Sequence, residues 1–119
     1  MYGLPQGLDL SFIEQSRLDS ICVSRFVLIF HFDDNIKITV MSAMSCTLRD
    51  STHYQLDDDF RDAIALIVVF IGEKVESAVA EGIGTLRLTF EGGAQLFFYD
   101  DSDMYESYVI KHGDDTIVV

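Results

Sequence analysis

The chain has 119 residues, which suits one packed domain spanning 1–119 and leaves too little for two. A hydrophobic fraction of 49% argues against disorder, and a net charge of −12 argues against a basic nucleic-acid groove or attraction to an anionic membrane. The charge is uneven: residues 1–56 carry four Lys/Arg and six Asp/Glu, whereas residues 57–119 carry four and fourteen. Such a surface attracts a basic protein partner, although it also serves plain solubility.

The opening stretch MYGLPQGLDL has no basic residue and no cleavage site after an apolar run. No signal peptide is expected, and the expected compartment is the cytoplasm. LDSICVS, Leu18 to Ser24, reads as a strand. RFVLIFHFDDNIKITVM then reads as a hairpin around Asp33-Asp34-Asn35. A three-residue loop pairs Phe32 with Ile36, Phe30 with Ile38 and Leu28 with Val40, all apolar. Asn35 tolerates the left-handed backbone that such a loop needs. MSCTLRD, Met44 to Asp50, is a strand and STHYQLDDD a loop. Cys22 and Cys46 fall in apolar strand patterns and read as buried free thiols, with a cross-strand disulfide the alternative.

DDDFRDAIALIVVFIG predicts a helix over 58–71. Phe60, Ala63, Ile64, Ile67, Phe70 and Ile71 recur at helical spacing as one core stripe. The aspartates at its start suit the helix dipole, and Gly72 suits its end. The apolar run Ala63–Ile71 has nine residues, far short of the roughly 20 that span a bilayer. Ala65 and Val69 fall opposite the stripe, where a free surface helix should be polar. They are the expected seam of a homodimer, unless the helix lies between layers.

KVESAVAEG reads as a strand, with Val75, Ser77 and Val79 on one face. The next hairpin poses a register problem in its aromatic run Phe97-Phe98-Tyr99. A two-residue turn at Gly92-Gly93 would mix apolar and polar faces. A three-residue loop Glu91-Gly92-Gly93 pairs Phe90 with Ala94, Leu88 with Leu96 and Leu86 with Phe98, so every pair is apolar. Gly93 then takes the left-handed position. Phe98 faces the core, while Phe97 and Tyr99 emerge on the other face, with Arg87 opposite Phe97 and placed to stack on it. That face is covered by another element of the chain or by a partner. FHFDDNIKITV superposes on LTFEGGAQLFF, which fits an ancient duplication, but the identity is slight and two generic hairpins are the safer reading. DMYESYVIKH and TIVV close the chain as strands. The fold expected is α+β: an antiparallel sheet of about seven to nine strands packed with one central helix near residues 58–71, in the order ββββ-α-ββββ.

The chain offers little for catalysis. Asp57-Asp58-Asp59 suits helix capping better than a cation site, and Asp100–Asp103 lacks the glycine and glutamate of a calcium loop. The histidines His31, His53 and His112 lack zinc-site spacing, and no phosphate loop or G-x-S-x-G occurs. No catalytic residue, metal or cofactor is expected.

The C-terminal half carries GTLRLTFEGGAQLFFYDDSDMYESYVI. Through Gly84, Leu86, Phe90, Gly93, Leu96, Tyr105, Glu106 and Ser107 it resembles small bacterial proteins of unknown function. Some of these are similar to immunity proteins encoded beside polymorphic or contact-dependent toxins. The resemblance covers about residues 60–119, and it departs from the pattern in placing Tyr108 after the glutamate and in lacking a glycine-rich tail. It implies a non-enzymatic domain that masks a basic toxin or nuclease. Asp100, Asp101, Asp103, Glu106 and Glu91 would form the charged rim, and Tyr105, Tyr99 and Phe97 the anchors. A homodimeric structural module and a small-ligand binder are the competing readings.

Overall fold

A computed structural model describes residues 3–5, 7–56, 60–100 and 107–119. The described residues form ten strands, with regular alternation of more and less buried side chains clearest in β2, β3, β7 and β8: β1 (Leu18–Val23), β2 (Leu28–Phe32), β3 (Ile36–Val40), β4 (Met44–Thr47), β5 (His53–Leu56), β6 (Val75–Glu81), β7 (Thr85–Phe90), β8 (Gln95–Phe98), β9 (Tyr108–His112) and β10 (Asp115–Val118). They form two five-stranded antiparallel sheets, ordered β1-β2-β3-β9-β10 and β5-β4-β8-β7-β6. The inner faces share one apolar core, in which Phe98 of the second sheet meets Phe30 edge-on at 5.5 Å and Tyr108 at 5.9 Å, both of the first sheet. This is a sandwich rather than a single sheet with a helix on it. No helix among the described residues is long and apolar enough to cross a membrane.

Both hairpins adopt the register that the apolar pairing requires. Phe32 faces Ile36, Phe30 faces Ile38 and Leu28 faces Val40. Leu88 faces Leu96 and Leu86 faces Phe98, and the Phe90 N–H donates to the Ala94 carbonyl at 2.9 Å. Gly93 has φ +94°, and Asn35 has φ +59°.

Several local expectations are corrected. STHYQLDDD is not all loop: His53–Leu56 is the edge strand β5, paired with β4. Val75 and Ser77 do not share a face, because a bulge at Glu76 shifts the register between them. Cys22 is exposed on edge strand β1, while Cys46 is buried; both are free thiols. The helix is short: a 3₁₀ turn (Phe60–Ala63), a single α turn, here α1 (Ile64–Ile67), and a second 3₁₀ turn (Val68–Phe70). Its core stripe is narrower than expected. Ala63, Ile67 and Phe70 are buried, whereas Ile64 and Ile71 are exposed. The side chain of Phe60 and Asp57–Asp59, the expected caps, lie outside the described residues.

The two halves of the chain repeat one plan. β1-β2-β3 is a meander that receives the hairpin β9-β10 beside β3, and β6-β7-β8 is a meander that receives the hairpin β4-β5 beside β8. Each half therefore completes the other's sheet. The correspondence holds bond by bond. Leu18 faces Phe32 before a bulge at Asp19, just as Val75 faces Phe90 before the bulge at Glu76. The Leu18 N–H donates to Glu73 O (3.0 Å), and the Val75 N–H donates to Ser16 O (2.8 Å). Asp33 N–H donates to Arg17 O (3.0 Å), and Glu91 N–H donates to Lys74 O (2.9 Å). Arg17 and Lys74, equivalent positions of the two halves, bridge to each other. The likeness of the two hairpins is thus part of a repeat of the whole half-chain, contrary to the generic reading taken from sequence.

Candidate partner-docking surface

The register and the tight tip of the β7-β8 hairpin decide where its aromatics point. Phe98 is fully buried; Phe97 and Tyr99 are half-buried on the outer face of the second sheet. Their neighbours lie on that same sheet. His53 meets the Phe97 ring edge-on at 5.9 Å, and Tyr99 stacks parallel to Phe97 at 6.4 Å. The Tyr99 hydroxyl shares a 2.5 Å hydrogen bond with Ser45 Oγ. Arg87 faces Phe97 in register, but its guanidinium pairs with Glu81 at 2.6 Å instead of stacking on the ring.

The two described acids of the expected rim, Asp100 and Glu91, do not lie together. Asp100 is an internal fastening: Gly3 N–H donates to its Oδ2 at 2.7 Å, and the Ser107 hydroxyl donates to its Oδ1 at 3.0 Å. A Cβ on Gly84 would fall 2.4 Å from the Asp100 Cβ, so only glycine lets this carboxylate come so near. The Tyr108 hydroxyl donates to Gly84 O at 2.8 Å, and burial pushes its pKa far up. Glu91 is exposed at the hairpin tip, at the opposite end of β8 from Asp100. At about 3.3 Å per residue the two stand roughly 20 Å apart. Asp101, Asp103, Tyr105 and Glu106 lie outside the described residues.

A more coherent surface forms at the Glu91 end. The 3₁₀–α–3₁₀ segment presents Ile64 (48% exposed), Val68 (48%), Val69 (59%) and Ile71 (42%) to solvent, with Ala65 exposed among them. Ile64 and Val68 are i, i+4 neighbours, and Val69 and Ile71 follow them in sequence, so the exposed side of this short segment is an apolar ridge. Beside it a groove of about 400 Å³ is lined by Leu48, Arg49, Asp50, Val69, Phe70 and Glu73. The Arg49 guanidinium pairs with Glu73 and lies against Gly92 of the hairpin tip. A backbone N–H from Thr52 holds the Asp50 carboxyl below the usual aspartate range, with the Thr52 side chain adding to it. The ridge is thus apolar, and the adjoining groove carries two carboxylates with one arginine already paired.

The sequence pattern put Ala65 and Val69 outside the core stripe, where they are exposed, but it put Ile64 and Ile71 inside the stripe and did not place Val68. The signal was present: Ile67 to Ile71 are five consecutive apolar residues, and no helix can bury all of them on one side. Asp50 and Glu73 were not separable from the other acids, because their convergence is tertiary.

A protein-family model matches residues 10–119, nearly the whole chain. The chain belongs to the DUF6188 family. DUF6188 is described as a family of unknown function. No curated protein and no solved structure matches the chain. In this DUF6188 chain no group of three or more His, Cys, Asp or Glu among the described residues could hold a metal ion. What the ridge and groove of the DUF6188 fold can do is bury apolar surface against another macromolecule while presenting carboxylates beside it.

Proposed function

We propose that this chain is a non-enzymatic protein-interaction domain that docks a basic partner at the Ile64–Ile71 ridge. The observation that carries the reading is four exposed β-branched side chains within eight residues, one of them, Val69, lining a groove that also holds the carboxylates of Asp50 and Glu73. Isolated exposed apolar residues are ordinary, but a contiguous apolar patch of this kind marks an interaction site. The partner's sign follows from the net charge of −12. Opposite fields speed encounter, and buried apolar anchors slow escape. The C-terminal sequence pattern supports a narrower form of the reading, in which the partner is a cognate toxin or nuclease domain and the chain is its cytoplasmic immunity protein.

The test begins with the genes next to this one: where they encode a basic toxin or nuclease domain, that domain is titrated against the chain, and its failure to bind would remove the narrower reading. Val69→Asp and Ile64→Asp should each weaken binding at least tenfold, as loss of an anchor worth about 2 kcal/mol would. Affinity should also fall as salt rises. Unchanged affinity in both variants would remove the ridge from the interface. A second copy of the chain is the other occupant that the uncharged ridge fits, with Ala65 and Val69 at its centre. Light scattering separates the two: a dimer that Val69→Asp dissociates makes the ridge a self-association seam.

A further inference from the structure

The outer face of the first sheet carries a second cluster, remote in kind from the ridge. Along one cross-strand row lie Ser20 of β1, His31 of β2, Lys37 of β3, Lys111 of β9 and Thr116 of β10, each facing the next in register. One residue pair along β1, Cys22 turns its exposed thiol toward this row, and its Sγ lies 3.7 Å from His31 Nε2. Ser20, His31, Lys37 and Lys111 of this row, with Cys22, line an open groove of about 740 Å³, a volume within the usual range for small-ligand sites.

Two features set this cluster apart from ordinary surface. First, Lys37 and Lys111 face each other directly, an arrangement that like-charge repulsion disfavours. Among the described residues neither ammonium is in an ion pair, although acids outnumber bases twenty to eight in the chain. Second, the internal repeat supplies a control. The equivalent row on the second sheet is Ser77, Thr89, Gln95, Thr47 and His53, and Val79 stands where Cys22 does. The same scaffold therefore closes without the thiol, the paired lysines or the imidazole beside the thiol, so the fold does not require them.

The carboxylates around the groove complete its chemistry. Asp19 lies on the β1 side, Asp33 and Asp34 at the β2-β3 tip, and Asp114 at the β9-β10 tip. Cationic centre and anionic rim together match a zwitterion that carries both carboxylates and an ammonium. The thiol matches a disulfide. We propose that this groove takes a small zwitterionic disulfide of the glutathione class, and that Cys22 exchanges with it to form a mixed disulfide. With its own proton on Nδ1, His31 accepts the thiol proton at Nε2. The Cys22 thiolate attacks one sulfur of the bound disulfide, a new S–S bond forms, and the original S–S bond breaks. The departing thiolate takes the proton back from the imidazolium. Cys22 is oxidised to the mixed disulfide and the small disulfide is reduced to one thiol, with no further reactant. Lys37 and Lys111 hold the carboxylates of the incoming molecule.

The full chain, incubated in parallel with oxidised glutathione and with neutral hydroxyethyl disulfide, tests this by mass spectrometry of the modified peptide. The expected result is modification at Cys22, roughly tenfold faster with oxidised glutathione, in the range that local charge complementarity confers on association. The double variant Lys37→Met, Lys111→Met should lose that preference while still reacting with the neutral reagent. His31→Gln should slow both reagents alike. Equal rates for the two reagents on the unaltered chain would overturn the proposal, as would a preference that survives in the lysine double variant or modification confined to Cys46.

Discussion

Phe97 and Phe98 are adjacent in sequence and opposite in environment. Phe98 has no exposed surface and meets the rings of Phe30 and Tyr108 across the sandwich. Truncating it leaves a cavity that the sheets cannot close, so Phe98→Ala should lower unfolding stability by about 3–5 kcal/mol. Phe97→Ala removes a half-buried ring on the outer face and should lower it by about 1 kcal/mol or less. Urea unfolding midpoints of the two variants check the difference, and equal losses would contradict the register. This contrast was legible in the sequence, because only one loop length puts Leu86, Leu88, Phe90, Leu96 and Phe98 on one face. The fate of Asp100 was not legible. Its partners Gly3 and Ser107 come from distant parts of the chain, and a carboxylate in an acidic run looks solvent-facing until those partners are placed.

Among elements, the hairpins were the most readable and the helix the least. In a hairpin, loop length and side-chain alternation determine each other, so Gly93 and Asn35 could be assigned to positive φ from the pairing alone. Gly93 has open space around an added Cβ, so the penalty for a side chain there is purely conformational. Gly93→Ala should cost about 1–2 kcal/mol, measured by thermal or urea unfolding, with the core otherwise intact. The helix misled because its β-branched run satisfies helical spacing in part while disfavouring a long regular helix. It resolves as one α turn between two 3₁₀ turns, and the apolar surplus is left outside as the ridge. β5 was missed for the opposite reason. His53, Tyr54 and Gln55 are exposed on an edge, so they lack the alternation that reveals a half-buried strand.

At the scale of the whole molecule, the exchange of hairpins governs how the domain holds together. Neither sheet can be completed by one half of the chain, since β9-β10 belongs beside β3 and β4-β5 beside β8. A chain cut within residues 57–59 should therefore keep its two pieces together under native conditions and release them only on unfolding. Size-exclusion chromatography of the cut chain, before and after denaturant, checks this; pieces that separate without denaturant would contradict the exchanged topology. The repeat also explains how one face can carry lysines and a thiol while its counterpart carries threonines, glutamine and valine. The shared ladder bonds hold the scaffold, and the outward positions are free to differ. The bridge between Arg17 and Lys74 joins the same ladder position in both halves. In an ancestor of half the length, that residue would have met its own copy in a second identical molecule. Tandem joining of such a symmetric pair of short chains would produce the strand order that the present domain has.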